Sequence, residues 1–186
     1  MWAEDLQPFL RLASQLLMIM VAHVYCPCLE SALAPAREKA PGRLPATLSP
    51  RIVSDLLKGR IGFQGLVLSD DLEMGGALED RSIEQAAISA LKAGCDMLLL
   101  CGAAANTRKA FDALLREANS DAGFHTIVER AAEKVLLAKQ RLGFTGRQAG
   151  QALPDFEALR QDIRRFSAAV DERLSSGAAQ KPPGED

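Results

Sequence analysis

The chain has 186 residues, 48% of them hydrophobic, which is enough for one domain with an apolar core. Its 22 basic and 24 acidic side chains leave a net charge of −2, too little to attract nucleic acid or an anionic membrane. The longest apolar run, at residues 16–24, is roughly half the length that a membrane span requires. We therefore expect a globular protein with no nucleic-acid or membrane partner.

The amino terminus indicates where in the cell the protein is located, and the cysteines indicate whether it contains disulfides or a zinc site. The first residues, MWAEDLQPF, are acidic where an export signal is basic, which predicts a cytoplasmic location. The four cysteines have neither the spacing of a zinc site nor the density of a disulfide scaffold, so we expect buried structural thiols. They are Cys26, Cys28, Cys95 and Cys101.

Three short apolar segments alternate with segments of helical periodicity, a pattern typical of βα units on a parallel sheet. The predicted strands are Leu17–Ala22, Leu66–Ser69 and Met97–Cys101. Each is nearly all apolar, as strands are when both of their faces are covered. The sequence therefore predicts an α/β fold with an interior sheet or barrel.

The predicted helices have recognisable ends. Ser49, followed by proline, is typical of a helix start, and Gly62 marks the following turn. Ser82 and Gln85 resemble a capping box that opens a helix, which should stop at Gly94. Three later helices are predicted, at Thr107–Ala118, His125–Leu142 and Asp155–Leu174.

The segment Pro27–Leu48 is long and rich in proline and alanine, which fits either a functional loop or a disordered insertion. The composition changes after Leu142. We predict a folded part at residues 1–142, a linker at 143–154, a helix at 155–174 and a disordered tail at 175–186.

The strongest chemical signal follows the second predicted strand. GFQGLVL leads directly to Ser69, Asp70 and Asp71, with Glu73 and a pair of glycines behind them. Acidic groups at the carboxyl end of a parallel strand occupy the place of active sites in α/β barrels. They are also common caps of the next helical turn, so the residues alone leave a catalytic and a structural interpretation open.

Four segments resemble consecutive landmarks of the bacterial family 3 glycoside hydrolases of the β-N-acetylhexosaminidase type: MIMVAHV, PATLS, LLKGRIGFQGLVLSDDLEMGGA and AGCDMLLLC. The resemblance covers about Glu4 to Leu142 and implies the last three βα units of a (β/α)8 TIM-type barrel, with an extra C-terminal helix. It implies that Asp70 is the catalytic nucleophile of a retaining hydrolase and Asp71 only its neighbour.

The resemblance also implies lesser roles. His23, in VAHV, would line the sugar pocket or else be structural, and Met74 would pack beside the sugar or merely fill space. His125 is interpreted as structural. The implied substrate is a terminal N-acetyl-β-glucosaminide, such as a cell-wall fragment, and retaining hydrolysis by carboxylates needs no metal or organic cofactor.

Members of this family carry a lysine–histidine pair on an earlier strand and a histidine–aspartate acid/base on the glycine-rich loop that accompanies it, and neither motif is found here. Without a general acid, hydrolysis loses a factor of about 10²–10⁴. We therefore expect a truncated barrel that self-associates or needs a complementing N-terminal half-barrel. The alternative is a non-catalytic remnant or sugar-binding fragment. A β-glucosidase specificity fits SDDLEM less well, and a phosphate-binding barrel lacks a glycine-rich phosphate loop.

Overall fold

The computed structural model of the chain describes residues 5–34, 44–143 and 155–177. The chain divides into two compact units, Met1–Thr145 and Gly146–Asp186. In the described part of the chain, no helix is both long and apolar enough to cross a membrane.

Strands and helices alternate along the first unit. The strands are β1 (Met18–Val21), β2 (Leu66–Asp71) and β3 (Met97–Leu99). The helices are α1 (Gln7–Leu12), α2 (Pro27–Leu33), a 3₁₀ turn (Ala46–Leu48), a π-helix (Arg51–Arg60), α3 (Gly75–Leu78), α4 (Ile83–Ala93), α5 (Ala104–Ser120) and α6 (Ala122–Arg141). The second unit contains α7 (Phe156–Gly177).

The three strands form one parallel sheet in the order β1-β2-β3. β1 pairs with β2 from Met18, opposite Leu66, to Val21, opposite Ser69. The pairing of β2 with β3 contains a register shift before Asp71. Neighbouring parallel strands joined by helices are βα units, so the α/β class predicted from the sequence is confirmed.

The two faces of the sheet have different surroundings. Ile19, Val21 and Val67 belong to the main core and pack with side chains of the π-helix and α4. On β1 the alternate residues Met18 and Met20 point to the other face and are 45% and 53% exposed. The prediction that every strand is covered on both faces is therefore wrong for β1, whose second face is open.

Helix α4 begins and ends where its sequence predicts. The Ser82 hydroxyl accepts the Gln85 N–H at 3.3 Å, and the Gln85 side chain accepts the Ser82 N–H at 3.0 Å. Gly94 ends the helix in a left-handed conformation with φ of 115°, and a Cβ there would collide with the Ser54 side chain. The predicted capping box and glycine stop are thus confirmed.

Other boundaries differ from the prediction, both at the strand ends and at the starts of α5 and α6. β2 continues two residues beyond Ser69, to Asp71, whereas β1 and β3 are shorter than predicted. Helix α6 begins at Ala122, three residues early, because the Asp121 carboxylate accepts the N–H groups of Gly123 and Phe124 at 2.8 Å and 3.2 Å. Helix α5 also starts early, at Ala104, where Ala103 provides no side-chain cap.

The predicted loop between β1 and the π-helix is partly helical. Pro27 opens α2, in keeping with the preference for proline in a first helical turn, and the 3₁₀ turn precedes the π-helix. Residues 35–43 of this segment lie outside the described residues. So do residues 144–154 of the predicted linker and residues 178–186 of the predicted tail; α7 itself extends to Gly177, three residues beyond the predicted helix end.

The buried carboxylate of Asp96 connects several elements by hydrogen bonds at the amino-terminal edge of the sheet. Asp96 precedes β3, and its side chain is 6% exposed. It accepts hydrogen bonds from Lys58 of the π-helix, from Lys134 of α6 and from the backbone of Val67 on β2, each at 2.9 Å. A buried carboxylate needs such partners, because an unpaired charge in the core is costly. Asp96 therefore joins three elements.

The cysteines only partly follow the expectation of buried thiols. Cys95 is buried, and burial raises the pKa of its thiol to about 12. Cys26 is half-buried, and its thiol pKa is raised, chiefly by burial. Cys28 and Cys101 are exposed, so the expectation is wrong for these two.

Candidate functional site

Three chain segments meet at the carboxyl edge of the sheet. β1 and β3 both run parallel to β2, so the ends of all three strands share this edge. After β1, the Nε2 atom of His23 donates a hydrogen bond to the Asp71 carbonyl at 2.9 Å. After β3, the backbone N–H of Cys101 donates to the Asp71 carboxylate at 3.2 Å. Asp71 is thus the point where these segments contact one another.

Asp70 differs from its neighbour in how its carboxylate is used. Ser69 is buried and accepts the Leu99 N–H at 3.0 Å, so by strand alternation Asp70 belongs to the opposite face of β2, the face that Met18 and Met20 share on β1. The Asp70 carboxylate accepts one hydrogen bond from the described residues, from the Asp71 N–H at 2.8 Å. It therefore retains acceptor capacity and is partly exposed.

Asp71, in contrast, accepts hydrogen bonds from the backbone N–H groups around it. Its carboxylate accepts the N–H groups of Glu73 at 3.1 Å and Cys101 at 3.2 Å, and its carbonyl accepts the Met74 N–H at 3.0 Å. These contacts match the structural interpretation of an acid after a strand, in which the carboxylate caps a turn. Of the two acids, the geometry leaves Asp70 available for a substrate.

His23 lies on the same rim as Asp70. Its Nδ1 atom is buried and has no hydrogen-bond partner among the described residues. Helix α3 approaches closely, and a Cβ on Gly76 would lie 2.9 Å from the His23 carbonyl oxygen. The ring is thus held through Nε2, while Nδ1 has no hydrogen-bond partner in the described part of the chain. A hydroxyl or amide of a bound ligand could donate a hydrogen bond to Nδ1.

Met74, the remaining predicted site residue, and His125, interpreted as structural, are both exposed. Met74 is 48% exposed at the start of α3, so its side chain does not fill the core. His125, which we interpreted as structural, is exposed on α6 and pairs with Glu129 at 3.3 Å. Within the described ranges, no group of three or more histidine, cysteine, aspartate or glutamate side chains is arranged to hold a metal ion.

Glu73 joins two of the rim segments and was not singled out as a site residue. Its carboxylate accepts the N–H groups of Gly102 and of Ala103, the latter at 3.1 Å, and the Asn106 side-chain amide at 2.7 Å. These hydrogen bonds, that from Asn106 first, lower the pKa of Glu73 below its ordinary value. Glu73 thus caps α5 from another loop, in the absence of a local cap.

Replacing Glu73 with glutamine should loosen the start of α5. Because the folded-state pKa of Glu73 is lowered, its stabilising effect is present above the unfolded pKa and is lost as pH falls through the folded value. We expect the protection of the amides at residues 102–106 from hydrogen exchange to be several-fold lower in Glu73→Gln at neutral pH, and the decrease of this protection on acidification to be absent from the variant. Glu79→Gln, an exposed neighbour, is the control; unchanged exchange in Glu73→Gln would contradict the capping role.

The PATLS segment supplies two further contacts that the sequence did not reveal. The Thr47 hydroxyl lies 2.7 Å from the Val21 carbonyl and 2.9 Å from the Ala22 carbonyl, so it holds the end of β1. Two residues later, the Ser49 hydroxyl donates to the buried Glu30 carboxylate of α2. The segment therefore fixes the chain on either side of His23. Its local composition gives no signal of these partners, which lie 19 to 26 residues away.

Comparison with known protein families identifies the family of this chain. Residues 1–138 match the model of the glycosyl hydrolase family 3 N terminal domain. The chain therefore belongs to glycosyl hydrolase family 3. It is 39% identical over 111 residues to a beta-hexosaminidase of Idiomarina loihiensis, covering 60% of this chain and 30% of that protein. It is 41% identical over 99 residues to a beta-hexosaminidase of Chromobacterium violaceum, covering 53% and 24%.

Solved structures give the same relationship. A family 3 beta-N-acetylglucosaminidase from Paenibacillus superposes with a TM-score of 0.67 at 30% identity, covering 81% of this chain and 27% of that chain. The beta-N-acetylglucosaminidase of Thermotoga maritima gives 0.62 at 31% identity, covering 80% and 30%. The chain thus spans less than a third of these relatives' length.

Proposed function

We propose that this chain supplies the nucleophile side of a β-N-acetylhexosaminidase-type active site, with Asp70 as the attacking group. The observation that carries the proposal is the contrast at the end of β2. Asp70 is partly exposed and its carboxylate accepts one hydrogen bond from the described residues, whereas Asp71 is engaged by the backbone of two loops. A carboxylate nucleophile must have an oxygen free to reach the anomeric carbon of the sugar.

The proposed reaction is retaining hydrolysis of a terminal N-acetyl-β-glucosaminide. Asp70 attacks the anomeric carbon, an acid protonates the leaving oxygen, and water then hydrolyses the glycosyl–enzyme bond. The names of the similar proteins, beta-hexosaminidase and beta-N-acetylglucosaminidase, support this substrate class. Cell-wall fragments in the cytoplasm are the substrates that we propose.

His23 and Met74 are proposed to contact the sugar. His23 is on the rim beside β2, anchored through Nε2 by the Asp71 carbonyl, and its unsatisfied Nδ1 could accept a hydrogen bond from a sugar hydroxyl or acetamido group. The half-exposed Met74 offers an apolar surface next to the same rim. Neither contact performs a chemical step, so both residues would act on substrate binding.

We propose that the acid/base comes from outside the described residues. We propose that the three βα units are the last part of a (β/α)8 barrel and work only when the remaining units complete it. Three observations support this: the open face with Met18 and Met20, the short span relative to the similar proteins, and an apolar groove of about 330 Å³ beside β3. Met97, Leu100 and Phe111 help to line this groove, where a further barrel element could pack.

A second candidate is a sugar-binding fragment without turnover. The unsatisfied Nδ1 atom of His23 on the rim supports it, because binding a sugar there requires no general acid. In that case the rim would still bind an amino sugar, but Asp70 would break no bond. Measuring sugar binding alongside hydrolysis distinguishes the two candidates.

The test is hydrolysis of a chromogenic N-acetyl-β-glucosaminide by the purified chain, with Asp70→Asn as the control. We expect no turnover above that of the control, and turnover that depends on Asp70 once a complementing N-terminal half-barrel is co-expressed. A half-barrel that restores folding but not Asp70-dependent turnover would contradict the proposed function. Saturable binding of N-acetylglucosamine without any turnover would favour the sugar-binding candidate.

A further inference from the structure

Helix α7 carries a continuous apolar stripe that nothing in the described part of its own unit covers. The spacing of its residues alternates between three and four, and their side chains are 62%, 50%, 60%, 73% and 38% exposed. In chain order they are Phe156, Leu159, Ile163, Phe166 and Val170. We refer to these five residues as the α7 stripe. The stripe lies beyond residue 138, where the family match ends.

Charged and polar side chains predominate in the rest of α7, and the helix has a defined start. The Asp155 carboxylate accepts the N–H groups of Glu157 and Ala158 at 3.0 Å each, as an N-cap does. Ion pairs at i,i+3 spacing connect Arg160 with Glu157 and Arg165 with Asp162 beside the stripe. Apolar side chains are therefore concentrated on one side of the helix.

We propose that the α7 stripe pairs with the same stripe of a second copy of this chain. An apolar repeat of three and four residues averages 3.5, the period at which two helices keep one seam in contact. The five side chains expose on the order of 500 Å² per copy, so a pair would bury on the order of 1,000 Å², the lower bound of specific interfaces.

The charges of α7 argue against a membrane surface as the occupant. The helix has four acidic and four basic residues, so its net charge is zero. Helices that lie on anionic membranes are typically rich in lysine and arginine on their polar face. An electrically balanced polar face with an apolar seam is typical of helix pairing instead.

The seam side chains favour antiparallel over parallel pairing of the two α7 helices. In the heptad that contains the stripe, the next seam position after Val170 is Arg173. Parallel pairing would bring the two Arg173 residues together. Antiparallel pairing places Arg173 across from Phe156 of the second copy, where a guanidinium can contact a ring face, and Leu159 across from Val170.

The first experiment measures the mass of the full chain in solution by light scattering over a dilution series. We expect a dimer for the wild-type chain and a monomer for Ile163→Glu/Phe166→Glu. Gln161→Glu/Ala168→Glu, which adds the same charge on the opposite side of α7, should remain dimeric. A monomeric wild-type chain, or a seam variant that is still dimeric, would overturn the proposal. Because mass is read without substrate, a failure of the proposed hydrolase function would leave this result unchanged.

The second experiment tests the orientation. In a background with Cys26, Cys28 and Cys101 replaced by serine, a Leu159→Cys chain is mixed with a differently tagged Val170→Cys chain and oxidised. Antiparallel pairing predicts disulfides between the two kinds of chain, and disulfides only within each kind would overturn that orientation. Co-sedimentation with anionic vesicles, abolished in the seam variant, would identify a membrane as the occupant and overturn the proposed dimer.

Discussion

In a chimeric barrel that carries residues 5–143 of this chain, Asp70→Asn is expected to lower kcat by a factor on the order of 10⁴ or more, as removal of a nucleophile does. The rest of the barrel would come from the Idiomarina loihiensis beta-hexosaminidase, so that an acid/base is present. An asparagine amide retains the size of the side chain but cannot form the glycosyl–enzyme bond. The loss should therefore be in kcat, with the chimera still folded.

Asp71→Asn is the matched control, since it makes the same chemical change one residue further along. It weakens contacts that Asp71 makes with the N–H groups of Glu73 and Cys101 and should leave a measurable fraction of turnover. The measurement is steady-state hydrolysis of a chromogenic N-acetyl-β-glucosaminide, with circular dichroism to check folding. Equal losses at Asp70 and Asp71 would remove the basis for assigning the nucleophile.

The second large effect is expected on stability. Asp96→Asn should lower the free energy of unfolding by roughly 2–3 kcal/mol, because Lys58 and Lys134 would lose their buried partner. The two lysines are about one-third exposed, which keeps the loss below that of a fully buried ion pair. Urea unfolding, followed by circular dichroism, measures the change.

Asp112→Asn is the control for this prediction. Asp112 pairs with Arg108 at 3.3 Å on the exposed surface of α5. An exposed i,i+4 pair contributes below about 0.5 kcal/mol, so this variant should unfold almost like the wild-type chain. If both variants lost the same small amount, the buried network around Asp96 would not stabilise the fold as argued.

The parts of the fold that could be predicted have local causes. The capping box of Ser82 and Gln85 involves residues three positions apart, and Gly94 ends α4 through its own backbone conformation. Both are therefore visible in the sequence. The strand positions follow from short apolar runs, and Asp70 stood out because an acid follows such a run.

The parts that could not be predicted have distant causes. The cap of α5 is Glu73, 29 residues before Gly102, and no nearby residue marks the helix start. The Asp96 network joins residues 38 positions apart on either side. The open face of β1 was also missed, because Met18 and Met20 are apolar whether or not anything covers them.

The sequence by itself determined the α/β class and the start and stop of α4, and it singled out Asp70 and Asp71 as the candidate site, since these depend on local patterns. The family resemblance implied a different role for each of the two acids, but only the tertiary structure shows the physical difference between them. They are identical side chains in adjacent positions, and strand alternation together with the loops after β1 and β3 decides which carboxylate is engaged. That difference arises from partners about 30 to 50 residues away, whose approach depends on how the whole unit packs.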